Sequence, residues 1–214
     1  MVTLAVSLMI TVYQKWTRGG LIYLFQPCHM SAMLLIIILS GPKTHKWPHV
    51  LLNIYFHIMW GTMLALLSPD LRDYDLFFEV ENFYIGTDKG FYVKHYLLIL
   101  APVYMIWSNR YVIWPVSMDV ALMSFSFFAL YHSAILSTMA LIKGQNLNYL
   151  LMPPPGPLQA FGKWYRPVMY IFCVFLTMSR YFLIEVVIQY LPRRNIVPAQ
   201  QERATSGEIK RKIL

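Results

Sequence analysis

Hydrophobic positions along this chain fall into six runs separated by polar or proline-rich breaks. The first, Val2 to Val12, is short and is followed by Lys15 and Arg18. The second covers Gly20 to Ser40 and stops at Gly41-Pro42, after which Lys43-Thr-His-Lys-Trp-Pro-His49 forms a basic turn. The third, Val50 to Leu67, contains His57 and ends at Ser68-Pro69. A polar stretch from Asp70 to Gly90 follows, read as an aqueous loop, and its acids match no calcium-loop spacing. The fourth run, Tyr92 to Trp107, opens with Lys94-His95 and contains Pro102. The fifth, Tyr111 to Ile142, is long enough to be tilted or broken at Pro115 and carries Asp119 and His132. Residues 143–167 are rich in proline, glycine and aromatics, too irregular to span and suited to a membrane interface. The sixth run, Val168 to Leu191, holds Arg180 and Glu185. Runs of this length predict an all-α, polytopic transmembrane bundle of about six helices. The bundle domain is expected over residues 1–191, its first helix incomplete, with a basic disordered tail over 192–214.

Composition agrees with that pattern. The 214 residues are 57% hydrophobic and only 13% charged, with a net charge of +8. Part of the charge sits in the tail, at Arg193, Arg194, Arg203, Lys210, Arg211 and Lys212, against Glu202 and Glu208. In a membrane protein such a tail faces anionic lipid on the cytosolic side. No nucleic-acid-binding motif accompanies it, so nucleic acid is not an expected partner. The two cysteines, Cys28 and Cys173, lie inside apolar runs and form neither a disulfide framework nor a metal-binding spacing. No metal or other cofactor is expected. The first residues lack the charged region and cleavage site of a signal peptide.

The candidate chemistry starts in Leu21-Ile-Tyr-Leu-Phe-Gln-Pro-Cys-His-Met-Ser31. Pro27 has no N–H and crowds the carbonyl four residues back, so a helix kink is expected there, with Tyr23 C=O losing its partner. A half-helix starting at Cys28 aims its free N–H groups and positive dipole end at the thiol. On these residues alone, a kinked packing helix with an inert cysteine outweighs a reactive one.

Depth along alternating helices changes that balance. At ~1.5 Å per residue, Cys28 lies ~12 Å, His95 ~8 Å, and His57 and His132 each ~15 Å from the membrane face opposite the tail. Four helices thus place a Cys or His in one slab, where ionisable groups are costly and mark functional cavities. Cys28 and the adjacent His29 point roughly 100° apart and should not pair. A base for Cys28 must come from another helix: His95 first, then His132 or His57. Asp119 with Arg180 reads as a structural pair, and Cys173 as packing.

Several short motifs then carry a resemblance. They are Ile-Tyr-Leu-Phe-Gln-Pro-Cys-His (22–29), His-Ile-Met-Trp-Gly with Ala-Leu-Leu-Ser-Pro (57–69), and Lys-His-Tyr-Leu with Pro-Val-Tyr-Met-Ile-Trp (94–107). Tyr-His-Ser (131–133), Asn-Leu-Asn (146–148) and Trp-Tyr-Arg (164–166) complete the set. In this order and spacing, from about Lys15 to Leu191, the chain resembles the transmembrane protein 164 acyltransferase family, whose fold is similar to that of the androgen-induced membrane hydrolases. The resemblance implies a transacylase that builds arachidonoyl ether phosphatidylethanolamine through a cysteine thioester. It implies a phospholipid acyl donor and a lysophospholipid acceptor, with Cys28 and His95 as the catalytic cysteine and histidine. It also implies a further N-terminal segment with another helix. His29, His57 and His132 are candidate site-lining residues, and Lys163 and Arg166 candidate head-group contacts.

Two other classes fit the same residues. A lipid-ester hydrolase would use the same site, and a non-catalytic channel or scaffold would line a water path with its histidines. An enzyme needs Cys28, whereas a channel tolerates Cys28→Ser. The chain ends Lys210-Arg-Lys212-Ile-Leu214, lysines three and five from the end, a pattern resembling cytosolic retrieval signals of endoplasmic-reticulum membrane proteins. Both this pattern and the basic tail put the C-terminus in the cytosol. Protease added to sealed microsomes should remove a C-terminal tag, and protection of the tag would reverse the topology.

Overall fold

The computed structural model describes residues 1–67, 87–108, 110–114, 117–154 and 156–190, with backbone alone over 87–90 and 179–190. The polar loop after Leu67 up to residue 86, the Arg180 and Glu185 side chains, and the tail lie outside the described residues. What is described is an all-helical polytopic bundle. In chain order the helices are α1 (Val2–Thr17), α2 (Pro27–Ser40), α3 (Lys46–Ile58), α4 (Trp60–Leu67), α5 (Thr87–Trp107), α6 (Met118–Leu130), α7 (Ser137–Lys143) and α8 (Tyr165–Tyr190). A π-helical turn, Tyr131–Leu136, joins α6 to α7, and short 3₁₀ turns cover Leu21–Phe25, Leu147–Tyr149 and Pro157–Trp164. By length and apolarity, Lys46–Leu67 and Met118–Lys143 can each cross a bilayer, with mean hydropathies of 1.7 and 1.6.

The expected kink at Pro27 is a full break. Leu21–Phe25 forms a 3₁₀ turn, Gln26 is extended (φ −61°, ψ 142°), and α2 starts afresh with Pro27 at its first position. Proline suits that position because the first N–H of a helix has no intrahelical acceptor anyway. The expected loss at Tyr23 does not occur: its carbonyl accepts from Gln26 N–H at 3.1 Å. A 3₁₀ turn satisfies it because its bonds close three residues on, short of the proline.

The fifth apolar run also divides. Residues 110–114 leave the helical path, and α6 begins at Met118 with Ser117 as its cap, the hydroxyl accepting from Val120 N–H at 3.3 Å. Asp119 is exposed in that first turn, where a carboxylate favours the helix dipole. At the far end, Gly144 takes the left-handed conformation (φ 63°) that lets Gln145 N–H bond back to Ala140 C=O. Of the expected irregular segment, the described residues between α7 and α8 form only loops and 3₁₀ turns, while Lys143 closes α7 and Tyr165 to Pro167 open α8.

The core forms where α2, α3 and α5 meet. Leu35, Ile38, Leu52, Tyr55, Leu98 and Met105 are buried there. Buried backbone groups freed by the helix breaks find side-chain partners in it. Pro102 inside α5 cannot donate to Leu98 C=O four residues back, and the buried Tyr55 hydroxyl donates to that carbonyl at 2.8 Å. The last carbonyls of α2 accept from Tyr111 (Ile38 C=O, 2.8 Å) and Arg110 (Leu39 C=O, 3.0 Å). Asn53, wholly buried, donates to Val112 C=O at 3.0 Å and accepts from Trp114 N–H at 2.9 Å, holding the 110–114 segment against α3. A second cluster of Leu136, Ala140, Leu147 and Leu150 packs on Ile22, Tyr23 and Phe25, so the turn before Cys28 rests on the π-helix and the loop after α7.

Tyr55→Phe orphans the Leu98 carbonyl and should destabilise the protein by about 1–3 kcal/mol in detergent unfolding. In a Pro102→Ala background the restored amide can reach that carbonyl, and the same change should cost distinctly less. Equal costs in both backgrounds would disprove the assignment.

Candidate functional site

Cys28 sits at the second position of α2, partly exposed. The amides of His29 and Met30 both turn to Gln26 C=O (3.0 and 3.2 Å), and Pro27 has none, so the first-turn amide left uncommitted is that of Cys28. The thiol opens on a cavity of about 1960 Å³ walled by all the helices except α7 and by the π-helical turn. Small-ligand pockets measure about 300–1,000 Å³, so this space suits a long amphiphile. Its lining is largely apolar, and among the described residues it contains no aspartate or glutamate.

The polar groups gather near the thiol. His29 and Lys94 are 2% and 3% exposed, and the Lys94 ammonium donates to His29 Nδ1 at 3.0 Å. That bond makes His29 Nδ1 an acceptor, so the imidazole is neutral. Lys94 and the Tyr131 hydroxyl both lie within electrostatic range of the Cys28 sulfur. Tyr131 also donates to Phe25 C=O, which ties the π-helix to the turn before Cys28.

His95, one residue beyond Lys94, is 1% exposed and lines the same cavity. Its Nδ1–H donates to Phe91 C=O at 2.7 Å, and its ring lies 3.9 Å from that of Phe91. The tautomer is thereby set: Nε2 carries the lone pair, and it is buried with no hydrogen-bond partner among the described residues. His132 reaches the cavity from the π-helix, a distortion often found at functional sites. Its ring stacks on Phe128 at 5.2 Å, Nε2 accepts from Asn148 Nδ2 at 2.8 Å, and Nδ1 has no partner among the described residues. Asn148 itself is held at φ 46°. Trp60 Nε1 is a third unpartnered buried polar atom on this cavity. Folded proteins seldom leave such atoms orphaned, and their concentration around one space marks it as a place where polar groups of a ligand or water complete the bonding.

The structure therefore brings Cys28, His29, His95 and His132 to one cavity, while His57 packs elsewhere. His57 is 1% exposed, and its Nδ1 lies 3.4 Å from Thr177 C=O, joining α3 to α8. Depth along a helix does not specify azimuth, and His57 faces α8. Arg166 lies at the cavity with its guanidinium donating to Leu150 C=O, through Nε at 2.6 Å and through Nη2. Lys163 is exposed with its ammonium 6.0 Å from the Trp164 ring centre. Cys173 is buried and also reaches the cavity wall. Lys94, Tyr131 and Asn148 were not among the expected site residues. The signal for Lys94 was present, since a lysine inside an apolar run is as costly as a histidine.

Residues 1–184 match the TMEM164 family. The chain belongs to this family. A transmembrane protein 164 homolog from Dictyostelium discoideum is 30% identical over 156 residues, 72% of this chain and 53% of the relative. The chain thus spans about half the length of that relative. No solved structure matches.

In this TMEM164 family member, the loop carrying Asn148 is held by Arg166. Arg166→Ala should speed amide exchange across residues 146–152 by roughly tenfold or more, as the loss of a charged hydrogen bond worth about 1.5–3 kcal/mol implies. Unchanged exchange would free Arg166 for a head-group role.

Proposed function

We propose that this membrane protein is a phospholipid acyltransferase working through a thioester on Cys28. The observation that carries the reading is one apolar cavity shared by a partly exposed thiol at a helix start and the bare Nε2 of His95. His95 Nε2 takes the thiol proton as the sulfur attacks the ester carbonyl of a donor phospholipid. The tetrahedral adduct collapses, and the departing lysophospholipid oxygen regains the proton from His95. The acyl group is then a thioester on Cys28. In the second half, the hydroxyl of an acceptor lysophospholipid gives its proton to Nε2 and attacks the thioester, and the sulfur leaves and is reprotonated. Splitting one hard transfer in two is what a covalent nucleophile offers. The uncommitted Cys28 amide is a donor suited to the oxyanion of each adduct.

The cavity's size and apolar lining support a long acyl chain as cargo. Family membership and the expectations drawn from the motifs make a polyunsaturated chain, typically arachidonoyl, and an ether phosphatidylethanolamine acceptor the first substrates to try. An endoplasmic-reticulum membrane is the compartment this reading favours.

Incubation with a radiolabelled donor phospholipid should give a hydroxylamine-sensitive adduct on Cys28. Cys28→Ala should abolish both adduct and transfer. His95→Ala should slow adduct formation by roughly 10²- to 10⁴-fold, the usual worth of general-base assistance. Normally folded Cys28→Ala protein that still moves acyl chains would sink this mechanism, and release of free fatty acid without transfer would make the site a hydrolase.

A further inference from the structure

Lys94 is an ionisable side chain only 3% exposed inside an apolar bundle, with its ammonium 3.0 Å from a neutral imidazole. An unpaired buried charge is expensive, and proteins that retain one supply an opposite charge or coordinate it. The groups that face Lys94 electrostatically are His29, Cys28 and Lys15. His29 accepts a hydrogen bond but carries no charge while it does so, and Lys15 is itself a cation. The group that can become an anion is the Cys28 thiol, the neighbour of His29 in sequence and a lining residue of the same cavity. Cys28 in turn faces Lys94 and the Tyr131 hydroxyl.

We infer that Lys94 is the positioning residue of the nucleophile, holding the Cys28 thiolate as an ion pair while His29 holds Lys94. The inference rests on Cys28 being the nucleophile and adds what makes it one. When the thiol proton moves to His95 Nε2, the remaining thiolate faces the Lys94 ammonium, whose other partner is His29 Nδ1. When the thioester forms, the negative charge passes to the tetrahedral oxyanion and is neutralised as the departing lysophospholipid oxygen takes the proton from His95, so Lys94 keeps its proton and its bond to His29 throughout. Burial disfavours a thiolate, and a cation alongside offsets that. His29 is neutral because Lys94 occupies Nδ1, so it cannot compete with His95 for the thiol proton at that atom. The adjacent Cys28-His29 and Lys94-His95 pairs thus divide four roles: nucleophile, anchor, counter-ion and base.

Alkylation of Cys28 tests this without needing acyl transfer. In a Cys173→Ala protein in lipid nanodiscs, the ratio of iodoacetamide rates at pH 7 and pH 9.5 reports the thiolate fraction at Cys28. Lys94→Met should lower that ratio roughly tenfold, and Lys94→Arg should restore most of it by keeping the charge. His29→Leu, which frees Lys94 from its anchor, should lower the ratio in the same direction by about threefold and gives a reading even if Lys94→Met fails to fold. A ratio unchanged in whichever of these two variants folds would overturn the role. The proposed function fails separately, through Cys28→Ala protein that still transfers acyl chains.

Discussion

Every break in an apolar helix frees backbone polar groups that lipid cannot solvate, and this constraint shapes the molecule around its cavity. The breaks at Pro27, Pro102 and residues 110–114 are each closed by side chains from distant positions in the chain. Tyr55 serves Leu98, Tyr111 and Arg110 serve the end of α2, Asn53 serves the 110–114 segment, and Tyr131 serves Phe25. These bonds act as cross-links between helices, because the donor and acceptor belong to different elements. Of the five side chains that make them, three are tyrosines and one an asparagine, which satisfy a carbonyl or amide without adding a buried charge.

The Pro27 break has a functional consequence beyond its bonding. A continuous helix through residue 28 would commit the Cys28 amide to a carbonyl one turn back. Starting α2 at Pro27 leaves that amide uncommitted and places the sulfur at the positive end of the helix dipole. The same region is held from two sides, by Tyr131 through Phe25 and by the packing of Ile22, Tyr23 and Phe25 on Leu136 and Leu150. The position of the Cys28 side chain is thereby fixed at the cavity wall.

Two of the three histidines on the cavity, His95 and His132, present different faces, decided by their partners. His95 gives its Nδ1–H to Phe91 and leaves a lone pair on Nε2, whereas His132 accepts from Asn148 on Nε2. Identical residue types thus offer a base in one wall and a donor in another, a distinction that hydropathy cannot register. Buried cationic Lys94 with no carboxylate among the described lining residues makes the cavity hospitable to anions, including a thiolate and an ester oxyanion.

The sequence by itself determined the helical, membrane-spanning class, the positions of most helices, the irregular character of residues 143–167 and the importance of the Pro-Cys-His stretch. These follow from run length, proline and the cost of ionisable groups in lipid, all of which are local or one-dimensional properties. It also singled out three histidines, His57, His95 and His132, by depth. Azimuth, tautomer and pairing were decided only by the tertiary structure. Whether His57 faces the cavity depends on how α3 rotates against α8, and whether His95 has a free Nε2 depends on which atom its Nδ1–H meets. Lys94 becomes part of the site only when α5 packs against α2 and brings its ammonium to His29. The placing of His57 and Lys94 depends on contacts 120 and 65 positions apart, which no periodicity within a single run encodes, and the His95 tautomer on a bond to Phe91 four residues back that hydropathy does not register.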